Sequence, residues 1–557
     1  MNTRSNISTE EKIDCRSGKI QTFRGVTMWK TSGQSMEEVQ SPSVLGIAAV
    51  FFLALLTACT SASSRPDVAL TSEMRKLMAT APFAAGRWGL LAVDANNGEV
   101  IYSLSPNSPF VTGSTAKNFS VGSVLEAYGP DHRFFTPVVR NGDVDAAGTL
   151  NGDLILVAQG DLTMGGRTMA NGRIAVENFD HTDANAIPGL ATLTPQNPLA
   201  GLDDLARQVA LSGIKLVSGE MIVDDRLWDK HTVGEVIVTP IIINDNLVDL
   251  MLTPTVPGSV AAFDWRPRTE AFEFRSEVVT GAPGSEITLK TSAVGNRVTV
   301  KGNIPADASP VPVVWTWQVP DPSAFARTLL IEALKRAGVT VAADALGTNP
   351  SASLPPREGV ALLPAQAVLV SPPLSEEAKL ILKVSHNLGA DTMPMLLAIR
   401  EGERSYEAGM RIERAWVGRQ IGLPADQLDL NTGRGGNDRL TPEVQILWLR
   451  YLMRSPSFPA FFAALPILGV DGSLSSVERD SPAAGLVHAK TGSLVGLDSQ
   501  GNPMLFTKAL AGYIDTVGNR RLAYALYVND VPISDMQDVL NANDLLGKIS
   551  VLIQQTP

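Results

Sequence analysis

Three short polar elements, far apart along the chain, constrain its fold more than any other feature. Residues 118–384 separate the first two elements, and residues 388–489 separate the second from the third. Each element alone arises easily by chance at average composition. All three in one order, at a predicted helix start, a helix loop and a strand, indicate that the fold brings them to one cleft. They are Ser114-Thr115-Ala116-Lys117, Ser385-His386-Asn387 and Lys490-Thr491-Gly492.

The first element has the residues of an activated nucleophile. A serine hydroxyl is a weak nucleophile at its ordinary pKa and needs a base held against it. Ser114 begins a predicted helix and Lys117 follows three residues later, so both side chains face the same side. Lys117 can accept the hydroxyl proton only when it is neutral, and burial together with a second cation such as Lys490 lowers a lysine pKa. The helix N-terminus also offers free N–H groups for developing negative charge.

The order and spacing of the elements select a protein class. The same set occurs in active-site-serine β-lactamases and penicillin-binding proteins. The long gap between the first two elements disfavours a class A β-lactamase. Further stretches are shared with one family and cover most of residues 70–530: 113–117 (GSTAK), 128–130 (YGP), 152–154 (GDL) with 160–161 (GD), 244–249 (NDNLVD), 385–391 (SHNLGAD), 465–474 (LPILGVDGSL) and 489–494 (AKTGSL). On these residues the chain resembles the class C low-molecular-mass penicillin-binding proteins, the D-alanyl-D-alanine carboxypeptidase/endopeptidase family.

Two positions depart from the pattern of that family. The family has a D-G-S-G-L-S-R-type loop before a Leu-Thr-Pro, whereas residues 431–442 are NTGRGGNDRLTP, with Gly435-Gly436 in place of the Ser-Arg pair. The middle residue of the second motif, often Asp in the family, is His386. Both changes lie near the expected cleft, so they bear on substrate preference rather than on the chemistry.

The motifs and the resemblance together assign catalytic roles. Ser114 is expected to be the nucleophile and Lys117 its general base. Ser385 is expected to pass a proton to the leaving amine, and Asn387 to orient Lys117 and the substrate amide. Lys490 is expected to bind the terminal carboxylate of the substrate and to tune Lys117.

Three residues of the third motif strand are expected to contact the substrate. Thr491 can hydrogen-bond the terminal carboxylate, and Gly492 continues the substrate-binding strand. The backbone N–H of Ser493, with that of Ser114, can form an oxyanion hole for the tetrahedral intermediate.

Metal and cofactor chemistry is not expected from this sequence. The histidines show no metal-ligand spacing, so neither a zinc peptidase nor a bound metal is predicted. No glycine-rich phosphate loop precedes a Lys-Ser/Thr pair, and no cofactor is predicted. A role for His386 as a triad base is an alternative that the sequence leaves open. The five histidines are His132, His181, His231, His386 and His488.

The resemblance implies an α+β fold of the penicillin-binding-protein/β-lactamase type, a five-stranded antiparallel sheet flanked by helices with a large strand-rich insertion. We expect residues 66–135 and 362–557 to form the serine transpeptidase-like catalytic domain, and residues 136–361 to form the inserted accessory lobes. Sequence patterns within these segments predict strands at 89–94, 99–104, 486–489, 509–515 and 521–528, and helices at 202–212, 324–337, 375–388, 392–401 and 534–554.

The N-terminal region predicts export. Residues 44–56 (VLGIAAVFFLALL) are shorter than the roughly 20 residues of a membrane span but have the length of a signal-peptide core. The following Leu56-Thr57-Ala58-Cys59 resembles the lipobox of bacterial lipoproteins, in which the cysteine is lipidated. Residues 1–58 are therefore expected to be a leader and lipoprotein-type signal segment, Cys59 the lipid attachment site and residues 59–67 a tether. A short uncleaved anchor is the alternative, and either form places the protein in the periplasm, held at a membrane.

Cysteine content and charge narrow the chemistry further. The two cysteines, Cys15 and Cys59, leave the mature part without a disulfide or a thiol nucleophile. The formal charge of −11 disfavours a nucleic-acid partner.

The expected function is that of a serine-type D-alanyl-D-alanine carboxypeptidase. Its partners would be peptidoglycan stem peptides, cleaved through an acyl-serine, and β-lactam antibiotics would be covalent inhibitors. Endopeptidase action on cross-links is implied by the resemblance. A β-lactamase-like amidohydrolase or esterase and a non-catalytic peptidoglycan-binding protein are the alternatives, and the oligomeric state is open.

Overall fold

The computed structural model describes residues 67–557. Its strands are β1 (Arg87–Asp94), β2 (Val100–Leu104), β3 (Phe110–Gly113), β4 (Phe135–Val144), β5 (Thr149–Val157), β6 (Leu216–Val217), β7 (Met221–Asp224), β8 (His231–Val233), β9 (Val236–Val238), β10 (Leu247–Thr253), β11 (Ala262–Arg266), β12 (Glu273–Gly281), β13 (Thr288–Val294), β14 (Arg297–Pro305), β15 (Val313–Gln318), β16 (Thr340–Val341), β17 (Ala365–Val370), β18 (Gly436–Leu440), β19 (Val487–Leu497), β20 (Pro503–Asp515) and β21 (Arg521–Pro532).

Helices alternate with these strands. They are α1 (Ser72–Met78), α2 (Lys117–Tyr128), α3 (Ala200–Leu211), α4 (Pro322–Arg336), α5 (Arg357–Val360), α6 (Leu374–Lys383), α7 (Asn387–Arg400), α8 (Tyr406–Ile421), α9 (Pro442–Met453), α10 (Phe458–Ala464) and α11 (Met536–Gln554).

A five-stranded antiparallel sheet joins the two ends of the described chain. Its strand order is β19-β20-β21-β1-β2, so β1 from the N-terminal part pairs along its length with β21 from the C-terminal part. The tight connection between β1 and β2 contains Gly98 at a φ of 82°, a conformation that glycine adopts without steric cost. The predicted sheet is confirmed, and β19 at its edge carries the third motif.

Helices cover both faces of this sheet. On one face α11 and α1 pack, and Leu510, Leu526 and Leu546 are fully buried there. On the other face α2 and α9 pack, with Phe119 and Trp448 stacked at 5.6 Å between ring centroids. Burial of apolar side chains on both faces makes the sheet the centre of the fold, as an α+β architecture requires.

The predicted strand-rich insertion is confirmed, and it is built from several small sheets. The largest has the order β16-β6-β5-β4-β17, with β7 pairing to β5. Two three-stranded sheets follow, β11-β10-β15 and β12-β14-β13, and α3 and α4 pack against the strands around a second apolar core. The insertion also contributes Leu162, Trp228, Val238 and Ile242 to the same core that buries α2 and α7.

The limits of the insertion at 136 and 361 stay a prediction. The strands next to these limits, β4 and β17, pair antiparallel with each other in the largest sheet of the insertion. This pairing closes the insertion at its base, where the chain leaves the helices and returns to them.

Two sequence predictions lie wholly or largely outside the described residues. They are the leader with its lipid site at Cys59, and the tether at 59–67, of which only residue 67 is described. Between residues 67 and 557, no helix combines the length and the apolar character that crossing a membrane requires.

Candidate active site

Ser114 lies at the turn between β3 and α2. The turn begins at Gly113, whose φ is 49° and whose position has no room for a side chain, since a Cβ there would lie 2.9 Å from the backbone nitrogen of Ser493. Ser114 is half-buried, and Lys117 is fully buried at the first residue of α2. The Nζ of Lys117 lies 2.7 Å from the Oγ of Ser114. The local sequence therefore brings the hydroxyl and the amine into direct contact.

Lys117 lies within hydrogen-bond distance of four oxygen atoms. Besides Ser114, they are the Oγ of Ser385 at 3.3 Å, the Oδ1 of Asn387 at 2.8 Å and the backbone oxygen of Arg434 at 3.2 Å. A protonated lysine has three N–H groups, whereas a neutral lysine has two and a lone pair. The Asn387 and Arg434 oxygens can only accept. A neutral Lys117 can therefore donate to both of them and accept the hydroxyl proton of Ser114.

Burial lowers the pKa of Lys117 to about 7. The charge of Asp391 opposes this shift, while the guanidinium of Arg434 adds to it. A neutral amine is thus accessible near neutral pH, which is the protonation state that a general base needs. The sequence points to Lys490 as the cation that lowers the pKa of Lys117, whereas in the structure the cation with this effect is the guanidinium of Arg434.

The second motif lies at a break between two helices. The sequence predicts a helix over 375–388. The helix is confirmed as α6, but its predicted end is wrong, because α6 ends at Lys383 and α7 begins at Asn387. Between them Ser385 has a φ of 63°, a left-handed conformation that is unfavourable for a residue with a side chain. This backbone turn points the Oγ of Ser385 at both lysines, 3.3 Å from Lys117 and 2.9 Å from Lys490.

His386 uses both ring nitrogens away from Ser114. Its Nδ1 accepts a hydrogen bond from the backbone N–H of Gly389 at 2.9 Å and caps α7. Its Nε2 lies 2.9 Å from a carboxylate oxygen of Asp245 and therefore carries the proton that it donates there. A base for Ser114 needs a free ring nitrogen facing the hydroxyl, so this geometry disfavours the triad alternative.

The third motif lies on edge strand β19. Lys490 is fully buried, and burial and the charge of Lys117 lower its pKa well below the ordinary lysine value. Its Nζ donates to the Oγ of Ser385 and to the backbone oxygen of Thr491 at 2.8 Å. The hydroxyl of Thr491 lies 2.8 Å from that of Ser473, which sequence reasoning did not single out.

Close backbone packing explains two glycines at the site. A Cβ on Gly492 would lie 2.5 Å from the backbone oxygen of Thr112, so β19 can pass β3 only with glycine there. A Cβ on Gly435 would lie 2.1 Å from the backbone oxygen of Gly113. Gly435 is one of the two glycines that stand in place of the Ser-Arg pair of the family. The loop can approach the turn that holds Ser114 only with glycine at this position.

The loop that carries Arg434 is held by residues that the sequence did not point to. Buried Asp391 on α7 accepts from the backbone N–H of Arg434 at 3.0 Å and from its guanidinium. The hydroxyl of Tyr406 bridges Asp391 and the backbone N–H of Gly433, at 2.9 Å from each. These contacts fix the carbonyl of Arg434 against Lys117.

The insertion also reaches the two lysines. Asp183 lies in a short helical turn of the insertion, and burial, with the charge of Asp180, raises its pKa to about 6 despite the opposing charges of Lys117 and Lys490. No motif in the sequence marks Asp183, because its position near the two lysines depends on how the insertion packs against the three motifs.

Within residues 67–557, one group of side chains has the spacing of a metal site: Asp180, His181 and Asp245. Its carboxylates already bind Arg167, at 2.6 Å from Asp180 and 2.8 Å from Asp245. A guanidinium thus occupies the position where a cation would be held.

Comparison with known proteins agrees with this architecture. Residues 70–548 match the model of the D-Ala-D-Ala carboxypeptidase 3 (S13) family. The chain belongs to this family. It is therefore a serine-type hydrolase.

Two curated relatives match most of this chain. The chain is 28% identical over 457 residues to a D-alanyl-D-alanine carboxypeptidase of an Actinomadura species, and the match covers 76% of this chain and 74% of the relative. It is 24% identical over 447 residues to penicillin-sensitive carboxypeptidase A of Dictyostelium discoideum, covering 74% and 78%. Among solved structures, penicillin binding protein 4 of Haemophilus influenzae shares the fold, with a TM-score of 0.65, 18% identity and coverage of 87% of this chain and 100% of that one.

Proposed function

We propose that this S13 family member is a D-alanyl-D-alanine carboxypeptidase that trims peptidoglycan stem peptides through an acyl-serine intermediate. The observation that carries the proposal is the contact of buried Lys117 with the Oγ of Ser114 at 2.7 Å. The carboxypeptidase names of the two curated relatives support the substrate class.

Acylation begins with proton transfer from Ser114 to neutral Lys117. The Oγ attacks the carbonyl of the penultimate D-alanine, and the backbone N–H groups of Ser114 and Ser493 stabilise the oxyanion. Asn387 holds the amine of Lys117 through its side-chain oxygen at 2.8 Å. The attack forms a bond from the Oγ of Ser114 to the carbonyl carbon and opens the carbonyl double bond to the oxyanion of the tetrahedral intermediate.

The leaving D-alanine takes its proton through Ser385. The Oγ of Ser385 lies between Lys117 and Lys490, so it can donate to the amide nitrogen and be reprotonated from Lys117. The C–N bond breaks and free D-alanine leaves. Lys117 then takes a proton from water, and the resulting hydroxide attacks the ester carbonyl. The acyl–oxygen bond breaks, and Ser114 recovers its proton from Lys117.

Lys490 and Thr491 supply the groups that recognise the terminal carboxylate, and Gly492 lets β19, which carries both residues, run close to β3. Ser473, in contact with Thr491, belongs to the same polar group. A cross-linked peptide presents the same D-alanyl bond, so endopeptidase action on cross-links is part of the proposal.

Penicillins are expected to acylate Ser114, because their strained amide resembles the D-Ala-D-Ala bond. The experiment is incubation of the protein with labelled penicillin and, separately, with a stem peptide ending in D-Ala-D-Ala. Wild type should become labelled and release D-alanine, and Ser114→Ala should do neither. A wild type that neither labels nor releases D-alanine contradicts the proposal.

The same experiment separates the alternatives. Rapid turnover of penicillin with no release of D-alanine indicates a β-lactamase-like enzyme. Binding of peptidoglycan without acylation indicates a non-catalytic binding protein.

The location that we propose is the periplasm, with a lipid on Cys59 as the membrane tether. The family and the signal-like residues 44–56 support this location. Replacing Cys59 by Ser in the full chain should release the protein from membranes. Unchanged membrane retention would favour an uncleaved anchor.

A further inference from the structure

A buried network of charged side chains in the insertion has equal numbers of positive and negative members. We call it the buried ion network; it consists of Arg167, His181, Arg266, Asp180, Asp245 and Asp249. Buried charges are tolerated when each is paired and hydrogen-bonded. Both ring nitrogens of His181 face carboxylates, at 2.7 Å from Asp245 and 2.5 Å from Asp249. Although burial acts in the opposite direction, the charges of Asp249 and Asp180 raise the pKa of His181 to about 10, so its ring is a cation.

Asp245 is held in an unusual backbone turn. It and its neighbours Asn244 and Asn246 all have left-handed φ angles, of 57°, 50° and 55°. Such a run of residues with side chains is unfavourable and persists only where the surroundings hold it. The turn gives the carboxylate of Asp245 three partners: Arg167, His181 and, outside the network, His386.

The contact with His386 connects the network to the second motif. His386 is fully buried, donates its Nε2–H to Asp245 and caps α7 with its Nδ1. Its chain neighbour is Ser385, whose left-handed φ of 63° places the Oγ between Lys117 and Lys490. His386 is therefore restrained at both ring nitrogens directly next to that turn.

We infer that Asp245 is a positioning residue, which acts through His386 to hold the left-handed turn of Ser385 and so to align its hydroxyl between the two lysines. The insertion thereby sets the rate at which Ser114 is acylated. The family departure at His386 then has a function, as the partner of a carboxylate on a different part of the chain. The inference rests on the proposed function, because acylation is its readout.

Two replacements of His386 separate the contact with Asp245 from the helix cap. His386→Asn can keep a cap through its amide oxygen but is too short to reach Asp245. His386→Gln can place an amide N–H near the position of Nε2 and so keep the contact with Asp245. Acylation by labelled penicillin at varied concentrations gives the binding constant and the acylation rate constant separately.

The expected result is an acylation rate constant about tenfold to a hundredfold lower in His386→Asn, with an unchanged binding constant, and a rate closer to wild type in His386→Gln. If His386 acted only as the helix cap, His386→Gln would be the slower variant, because it loses the cap and His386→Asn keeps it. That result would overturn the inference. Equal rates in wild type and His386→Asn would overturn it as well. A wild type that penicillin does not acylate would refute the proposed function instead.

A matched pair in the network tests the same point from the other side. Asp245→Ala and Asp249→Ala each remove one buried carboxylate beside His181, but only Asp245 contacts His386. Both variants should melt at a lower temperature than wild type. Only Asp245→Ala should also lower the acylation rate constant; equal slowing in both would show a general structural effect and would overturn the inference. If either variant fails to fold, the two His386 variants decide the question.

Discussion

At the scale of single residues, the chemistry depends on the environment of Lys117. Its amine is fully buried, contacts Ser114 at 2.7 Å and has two further acceptors in Asn387 and Arg434. Desolvation disfavours the charged form, which is why a lysine at this position can act as the base that we propose. The Ser-x-x-Lys spacing alone brings the groups together, and burial decides the protonation state.

The pH dependence of acylation should follow Lys117. Because burial lowers its pKa to about 7, the fraction of neutral amine rises with pH up to that value and then levels off. The acylation rate constant with labelled penicillin should rise about tenfold per pH unit below about pH 7 and be flat above it. Lys117→Ala should acylate very slowly at every pH. Full activity in Lys117→Ala, or a rate independent of pH, would contradict the assignment of the base.

Replacing Arg434 should shift that profile. The guanidinium of Arg434 lowers the pKa of Lys117, and the carboxylate of Asp391 raises it. Arg434→Met removes the cation and leaves Asp391 unopposed, so the pKa of Lys117 rises and the midpoint of the acylation profile moves to higher pH. Arg411→Met, at an exposed position on α8, is the control and should leave the midpoint in place. A midpoint that moves to lower pH in Arg434→Met would contradict this balance of charges.

At the scale of elements, the break between α6 and α7 creates the second motif. In an uninterrupted helix, Ser385 would have helical backbone angles. Its left-handed φ instead directs its hydroxyl toward both Lys117 and Lys490. The strands of the central sheet followed from alternation and turn residues. The position of the break did not, because apolar residues continue on both sides of it and its position depends on how α6 and α7 pack.

Two replacements of Ser385 separate its hydroxyl from its backbone. Ser385→Gly removes the hydroxyl but adopts the φ of 63° easily, whereas Ser385→Ala removes the hydroxyl and keeps the unfavourable conformation. Both should acylate about a hundredfold or more slowly, because proton transfer to the leaving group is lost. Ser385→Gly should be more stable than Ser385→Ala by about 1 kcal/mol in urea unfolding. Equal stability of the two variants would show that the turn carries no strain.

At the scale of the whole molecule, the insertion and the helices share one apolar core. Trp228, Val238 and Ile242 of the insertion are buried together with Phe119 of α2 and Leu396 of α7. The largest sheet of the insertion is closed at its base by β4 and β17. A shared core couples the stability of the two parts, since neither can separate without exposing apolar surface.

The insertion and the central sheet should therefore unfold together. In urea, circular dichroism and tryptophan fluorescence should give coincident transitions. Trp228→Ala should destabilise the whole protein by about 3–5 kcal/mol, because it leaves a cavity in the shared core. Val294→Ala, at an exposed position of the insertion, should change stability by less than about 0.5 kcal/mol. Two separate transitions in wild type would contradict a shared core.

The sequence by itself determined which residues are candidates for the reaction and much of the framework. Ser114 and Lys117 meet because residues three apart on a helical turn face the same side. The strands β1, β20 and β21 and the helix α11 follow from local periodicity and turn residues. These are short-range features, so a linear sequence contains them in full.

Only the tertiary structure decided what surrounds the motifs. Three contacts join residues that are far apart in the chain. They are Lys117 with the carbonyl of Arg434, Arg434 with the carboxylate of Asp391, and His386 with Asp245. No local pattern marks such contacts, because each depends on how separate elements pack. Burial likewise belongs to the folded state, and it is burial that lowers the pKa of Lys117 to the range that the proposed base needs.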